Sequence, residues 1–368
     1  MVREAGEIDQ PLAAAIFALG CAGWAAQAGL GHALRRAVSS YGSRHEETMT
    51  MTDHPFSEGR GLVLACAVVA TSLGLVYLGV AGAPKSMLTV NLAALIAGLV
   101  IVLPFRAREP VTRPVAGVLA ILVGALLLLA ATLGDHASGA RRWVVVGNLV
   151  VQPSLVLLPL LVVCFARFRT GLTALGILLA AAALALQPDR AMAAALVVAV
   201  TAAFLARRDS LGGFCLAAAV IGFAVTMMRP DVVPATPFVD RVFLTAFSTD
   251  VIAGLAVWIG AAFALLPGVI GTVRGGAHRS TFAAFGGCWA AIVLAAIVGD
   301  YPTPLVAYSG SAILGYILAT AGLPPAWGPS PAVDHAERAF RRRPAKAGMP
   351  RGSRSSDRVR ARRWAGAG

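Results

Sequence analysis

Acidic residues are scarce in this chain: Asp and Glu together number 18 of 368 residues, and charged residues of both signs make up only 13%. A water-soluble domain carries about 25%. With 58% hydrophobic residues and a mean hydropathy of +0.76, the shortage of charge excludes a large soluble catalytic domain and defines an integral membrane protein. Cysteine is also sparse. Cys21, Cys66, Cys164, Cys215 and Cys288 all lie inside apolar runs, without the close Cys or His spacing that a zinc or disulfide framework needs. They read as small buried apolar side chains. The net charge of +13 would suit a nucleic-acid partner if it were clustered. It is instead divided among short loops and one tail, which membrane topology explains without nucleic acid.

What is abundant is uncharged apolar sequence. Runs that reach or approach the roughly 20 residues needed to cross a bilayer lie at 11–34, 61–82, 87–105, 115–134, 151–166, 171–187, 191–206, 211–228, 251–272, 281–299 and 308–325. Hydrocarbon offers no partner to free backbone groups, so the expected element in each is a helix. Placing the N-terminal flank of the second run in the cytoplasm puts thirteen Lys and Arg residues in inner loops, eleven more in the tail and seven outside. The positive-inside rule favours that orientation, with a cytoplasmic C-terminus.

The first run, 11–34, is set apart by the polar stretch Arg35 to Arg60. It reads as an extra helix with its N-terminus outside, as a signal-like segment, or as sequence upstream of a start at Met49 or Met51. Its acidic flank (Glu4, Glu7, Asp9) followed by Arg35-Arg36 suits the first reading. The expected domains are therefore 1–60, an extension with one extra N-terminal helix; 61–325, a ten-helix membrane domain; and 326–368, a basic cytoplasmic tail. The tail, rich in Pro, Gly, Ser and Arg, has too few apolar residues to order itself. It reads equally as a binder of anionic lipid or as a topology determinant.

Polar residues gather at few places on the expected outer face. Arg141 and Arg142 precede Trp143; a guanidinium fork there matches pyrophosphate oxygens, or alternatively lipid phosphates with Trp143 as a belt residue. Gln152-Pro153-Ser154 has the form of a helix start, with Pro153 in the first turn. Gln187-Pro188-Asp189 repeats the design, with Asp189 at the positive end of the helix dipole. Asp250, just before the run at 251, is a good N-cap. These segments, with Pro302-Thr303-Pro304-Leu305-Val306-Ala307-Tyr308-Ser309-Gly310-Ser311, resemble in order and spacing the GxRRW…QPSE, QPDLGT and PLPFISYGGS motifs of the SEDS family (shape, elongation, division and sporulation), the peptidoglycan glycosyltransferases. The resemblance covers residues 61 to 325.

The resemblance implies an all-α polytopic fold with a ten-helix core. It also implies residence in the bacterial inner membrane, and a role in cell shape, cell division and cell-wall synthesis. The implied activity is polymerisation of lipid II into glycan strands on the outer face, beside a class B penicillin-binding transpeptidase and membrane lipids. It implies no cofactor, though a divalent cation could accompany the pyrophosphate. The family's catalytic Asp carries over to Asp250 through the Thr249-Asp250 pair, with Asp240 in the same loop as the alternative. Substrate binding carries over to Arg141, Arg142, Trp143, Gln152, Ser154, Asp189, Tyr308, Ser309 and Ser311.

Departures from the pattern are as informative. Leu155 and Leu158 stand where the family has a Glu and a Lys. Losing both together strands no charge, so the fold survives while any function of that pair does not. The outer segment Arg229 to Asp250 is short and lacks the family's Gly-rich stretch. The second expectation, from a different class, is therefore a catalytically altered or inactive accessory membrane protein of division or envelope synthesis. A transporter would want mid-span charges, which are almost absent.

Overall fold

Each of the ten runs after residue 60 forms a helix in the computed structural model, as backbone deprived of water requires. The structure describes residues 59–105, 110–133, 142–147, 149–229 and 234–325. The run at 11–34, Arg141 and the tail 326–368 lie outside the described residues. In chain order the helices are α1 (Gly59–Val80), α2 (Lys85–Val102), α3 (Arg113–Leu133), α4 (Pro153–Phe168), α5 (Gly171–Leu186), α6 (Arg190–Ala206) and α7 (Ser210–Met227). They continue with α8 (Val242–Thr249), α9 (Val251–Arg274), α10 (Arg279–Val298) and α11 (Gly310–Ala319). The chain is an all-helical, multi-pass membrane protein.

Six helices, α1, α2, α3, α7, α9 and α10, are long and apolar enough to cross a membrane, counting the short 3-10 turns that flank α2 and α10. They carry rows of exposed large apolar residues, such as Leu122, Leu126 and Leu129 on α3 or Phe214 and Ile221 on α7, which a lipid-facing surface needs. The other five, α4, α5, α6, α8 and α11, are shorter. The 16 residues of α4 rise only about 24 Å, less than the roughly 30 Å of hydrocarbon. α4 has protein on all sides, packing against α3, α5, α6, α10 and α11. The core around it includes Phe285, Trp289 and Tyr316, with ring centroids 5.0 to 6.5 Å apart. The Tyr316 hydroxyl donates to the Ala264 carbonyl at 2.7 Å.

One end of the bundle is closed by arginines. Arg60 donates to the Leu323 carbonyl at 2.7 Å and to the Phe105 and Ala321 carbonyls. Arg167 reaches the Gly322 and Leu323 carbonyls. Arg169 bonds the Ala203 carbonyl at 2.6 Å and the Asp209 carboxylate at 2.9 Å. Carbonyls left over where helices end are thereby satisfied by cations, which also suit the negative end of the dipole.

At the opposite end the chain dips inward. Residues 302–309 are not helical, yet their backbone lies beside the bodies of neighbouring helices. A Cβ on Gly74, six residues before the end of α1, would sit 2.7 Å from the Leu305 carbonyl oxygen, and one on Gly260, nine residues into α9, would meet Val306. Glycine is required at Gly74 for the backbone to pass and at Gly260 to make room for the Val306 side chain. Leu305 is buried in the left-handed region (φ 62°), a conformation that costs a non-glycine residue about 1 kcal/mol or more. Non-helical backbone at membrane depth is tolerated only where protein buries it, and here it does.

Three features differ from the sequence expectation. The segment expected to be a short outer loop contains a helix, α8, that turns directly into α9 at Asp250. An antiparallel hairpin, Val144–Val146 with Leu149–Val151, joins α3 to α4. Gln187 ends α5 and donates to the Leu127 carbonyl at 3.1 Å; Asp189, not Gln187, caps α6. Asp prevails there because its short carboxylate reaches the Met192 N–H (3.2 Å), the first-turn bond that an N-cap side chain supplies.

Candidate functional site

The polar residues at the end opposite the arginines converge on the starts of α4, α6 and α11. Gln152 is the residue before α4 and Pro153 occupies its first turn, so no N–H is wasted. The Gln152 amide donates to the Asp189 carboxylate at 3.0 Å and to the Ser154 hydroxyl at 3.2 Å, and Ser154 donates to Asp189 at 3.2 Å. The Gln152 backbone N–H donates to the Ser311 hydroxyl at 3.1 Å, which ties α11 into the group. Asp189 is fully buried and has a donor from each of Met192, Gln152 and Ser154. A buried charge with three donors is held in place rather than expelled.

Arg142 stands at the edge of this group. It is 3% exposed, donates to the Pro188 carbonyl at 3.1 Å and lies about 6 Å from the ring centroids of Trp143 and Tyr301. Arg141 lies outside the described residues. In the segment before α8, Val239 accepts from the Thr303 N–H and Phe238 from the Tyr308 N–H, both at 2.9 Å, and Asp240 is bridged to Pro302. The segment 238–240 thus lies along 302–308. Burial pushes the Asp240 carboxyl above its ordinary range and nearby Asp300 adds to this, while the Thr236 N–H at 2.7 Å and Arg142 pull the other way. One carboxylate oxygen, Oδ1, is buried with no hydrogen-bond partner among the described residues.

Asp250 is placed differently. It is exposed, and its carboxylate accepts from the Ile252 N–H at 2.6 Å as the cap of α9. It makes no hydrogen bond or ion pair with Arg142, Gln152 or Asp189. Leu155 and Leu158, at the positions of the family's Glu and Lys, are buried in the apolar core.

Sequence reasoning passed over Asn91. It is fully buried on α2, donates to the Ala307 carbonyl at 2.7 Å and accepts from the Ser309 N–H at 3.1 Å, so it holds the strained turn that carries Tyr308 and Ser309. The signal was available: it is the one amide in the 87–105 run, and a lone polar residue in a span points to a partner. Among the described residues no group of three or more His, Cys, Asp or Glu side chains could hold a metal ion.

The class this defines is a multi-pass helical membrane protein with a buried arginine and carboxylate site recessed at one end. No protein-family model matches the chain, and no curated protein does. Among solved structures, the rod shape determining protein RodA of Thermus thermophilus is similar, with 21% identity and a TM-score of 0.49 over 71% of this chain and 93% of that one. A point mutant of the same protein is similar at 22% identity and the same score, over 71% and 94%.

Proposed function

We propose that this protein acts on a polyprenyl-linked sugar pyrophosphate, lipid II or a relative, and polymerises it into glycan at the outer membrane face. The observation that carries the reading is the buried Arg142, bonded to the Pro188 carbonyl next to the Gln152–Ser154–Asp189 group, on the segments whose sequences resemble SEDS motifs. The attacking sugar hydroxyl forms a bond to the anomeric carbon as the bond from that carbon to the pyrophosphate oxygen breaks. The pyrophosphate leaves with the electron pair and the hydroxyl proton passes to a carboxylate. Arg142, with Arg141, favours the departing charge. The family resemblance assigns the base to Asp250. The geometry favours Asp240, because burial raises its proton affinity and an oxygen is uncommitted. A divalent cation would take most of its ligands from the substrate's phosphates.

The test is purified protein with lipid II, with and without a class B transpeptidase, read as glycan chain length. Asp240→Asn should abolish synthesis in a folded protein and Asp250→Asn should not; the reverse result would return the role to Asp250. The proposed orientation has its own check: with an impermeant thiol reagent added outside, a cysteine at Ala235 should label and one at Ser210 should not.

The second reading, an accessory protein that binds the lipid without polymerising it, is favoured by the commitment of Asp250 to capping and by the leucines at 155 and 158. Wild-type protein that binds lipid II yet makes no glycan with any partner would establish it in place of the first.

A further inference from the structure

Resting on that reading, we propose that the N-terminus of α11 is the phosphoryl-binding element of the site. It would take a phosphate oxyanion on the N–H groups of Gly310, Ser311 and Ala312 together with the hydroxyl of Ser309. A helix start offers free N–H groups and the positive end of the dipole, which suits an anion. That alone is common to every helix here; the Ser309 hydroxyl is the independent observation. Serine at an N-cap normally turns its oxygen onto the N–H of the second or third helical residue. Ser309 does not: it makes no side-chain capping bond (φ −155°, ψ 50°). Its residue is 7% exposed and its Oγ has no hydrogen-bond partner among the described residues. The Ile313 N–H is the first to find an acceptor, the Ser309 carbonyl at 3.0 Å, and no hydrogen bond to the Gly310, Ser311 or Ala312 N–H is found among the described residues. A buried hydroxyl left unbonded costs free energy that a ligand oxygen would recover.

The location strengthens the case. α11 begins below the outer end of the longer helices, at the level of Val90 and Ala94 on α2, which a Cβ on Gly310 would approach at 3.2 and 3.6 Å. Tyr308, Gly310 and Ser311 remain partly exposed, which leaves an approach to the amides. Dipole ends and amides act more strongly on an anion at such depth than in water. The nearest acidic group linked to this start is Asp189, reached through Gln152 and Ser311, and its charge is already offset by three donors. The ligand class is a phosphate ester or pyrophosphate carried on a lipid, and two sources share that chemistry: the sugar carrier and an ordinary phospholipid headgroup.

The test measures binding of undecaprenyl pyrophosphate to the full chain in phosphatidylcholine nanodiscs, with undecaprenol as the phosphate-free control. Ser309→Asp should cap α11 by itself, hold or raise Tm, and weaken binding by about tenfold or more by placing a carboxylate where the phosphate would sit. Ser309→Ala should hold or slightly raise Tm, because an unbonded buried hydroxyl is removed, and weaken binding severalfold; if the Asp variant does not fold, the Ala variant decides. A Kd unaltered in both variants, or equal affinity for undecaprenol, overturns the assignment. In discs containing phosphatidylglycerol, Ser309-sensitive competition by that lipid keeps the phosphoryl site and assigns it to bilayer phospholipid. The proposal and the polymerase reading fail separately. Ser309-sensitive binding without glycan synthesis removes the polymerase alone, and synthesis with Ser309-insensitive binding removes only this site.

Discussion

The two ends of the helical bundle differ in which buried polar atoms they satisfy: cations bonded to helix-end carbonyls at one, uncommitted acceptors and hydroxyls at the other. At the arginine-closed end, Arg60, Arg167 and Arg169 place N–H groups on helix-end carbonyls and on Asp209, and the charge serves as mortar, although the buried Nε atoms of Arg169 and Arg279 have no hydrogen-bond partner among the described residues. At the recessed end, acceptor and hydroxyl atoms of Gln187, Asp240, Thr303 and Ser309 are buried without a hydrogen-bond partner among the described residues. A fold needs only the first arrangement. The second costs stability at each atom, and such cost concentrates where a site has chemistry to perform. Arginine abundance therefore says little by itself about function; the way the guanidinium is satisfied says more.

The comparison can be broken by substitution. The largest effect is expected at the closed end: Arg169→Ala removes the bonds to Asp209 and the Ala203 carbonyl, both of which keep other partners, and empties the buried volume of the guanidinium. Together these should cost about 3 kcal/mol, seen as a lower Tm in detergent, while the folded fraction binds lipid II as before. An unchanged Tm would remove the claim that this end is structural. Asn91→Leu should cost about 2 kcal/mol, because the Ala307 carbonyl and Ser309 N–H lose their partner in a buried turn. Unlike Arg169→Ala, it should also weaken ligand binding by the folded protein.

Asp240 should show itself through pH. Since burial raises its pKa on folding, the folded protein holds that proton more tightly than the unfolded chain does. The stability so gained is complete below the ordinary carboxylate range and is lost as pH rises through the raised folded value. Asp240→Asn, neutral throughout, should match wild type in acid and melt higher than wild type toward neutral pH. Parallel curves at both pH values would show that the carboxyl is solvated as in water. The smallest effect belongs to Asp250→Asn, about 0.3 kcal/mol or less, because Asn caps nearly as well as Asp.

Much of this was legible in the chain. Hydrophobic runs located ten helices to within a few residues, because a helix crossing hydrocarbon has no local alternative. The motif segments do meet: Gln152, Ser154, Asp189 and Ser311 form one hydrogen-bonded group. What could not be read was depth. The run at 308–325 looks like any other span, yet α11 begins only at Gly310 and the residues before it fold inward against Gly74 and Gly260, contacts between segments over 40 residues apart. α8 was missed because a polar-flanked stretch of eight residues carries too short a pattern to distinguish helix from loop. Asp240 and Asp250 looked alike as loop carboxylates, and only their tertiary surroundings separate them.

The length of α11 bears on how the protein is made. Ten residues, with a 3-10 turn behind them, are about half of what partitions into a bilayer unaided. The non-helical segment before them would expose backbone to lipid if it entered alone. Its partners Asn91, Gly74 and Gly260 sit on α2, α1 and α9, all synthesised earlier. Insertion of α11 is thus a docking event onto an assembled bundle, and the recess closes only when the helices before it are already in the membrane.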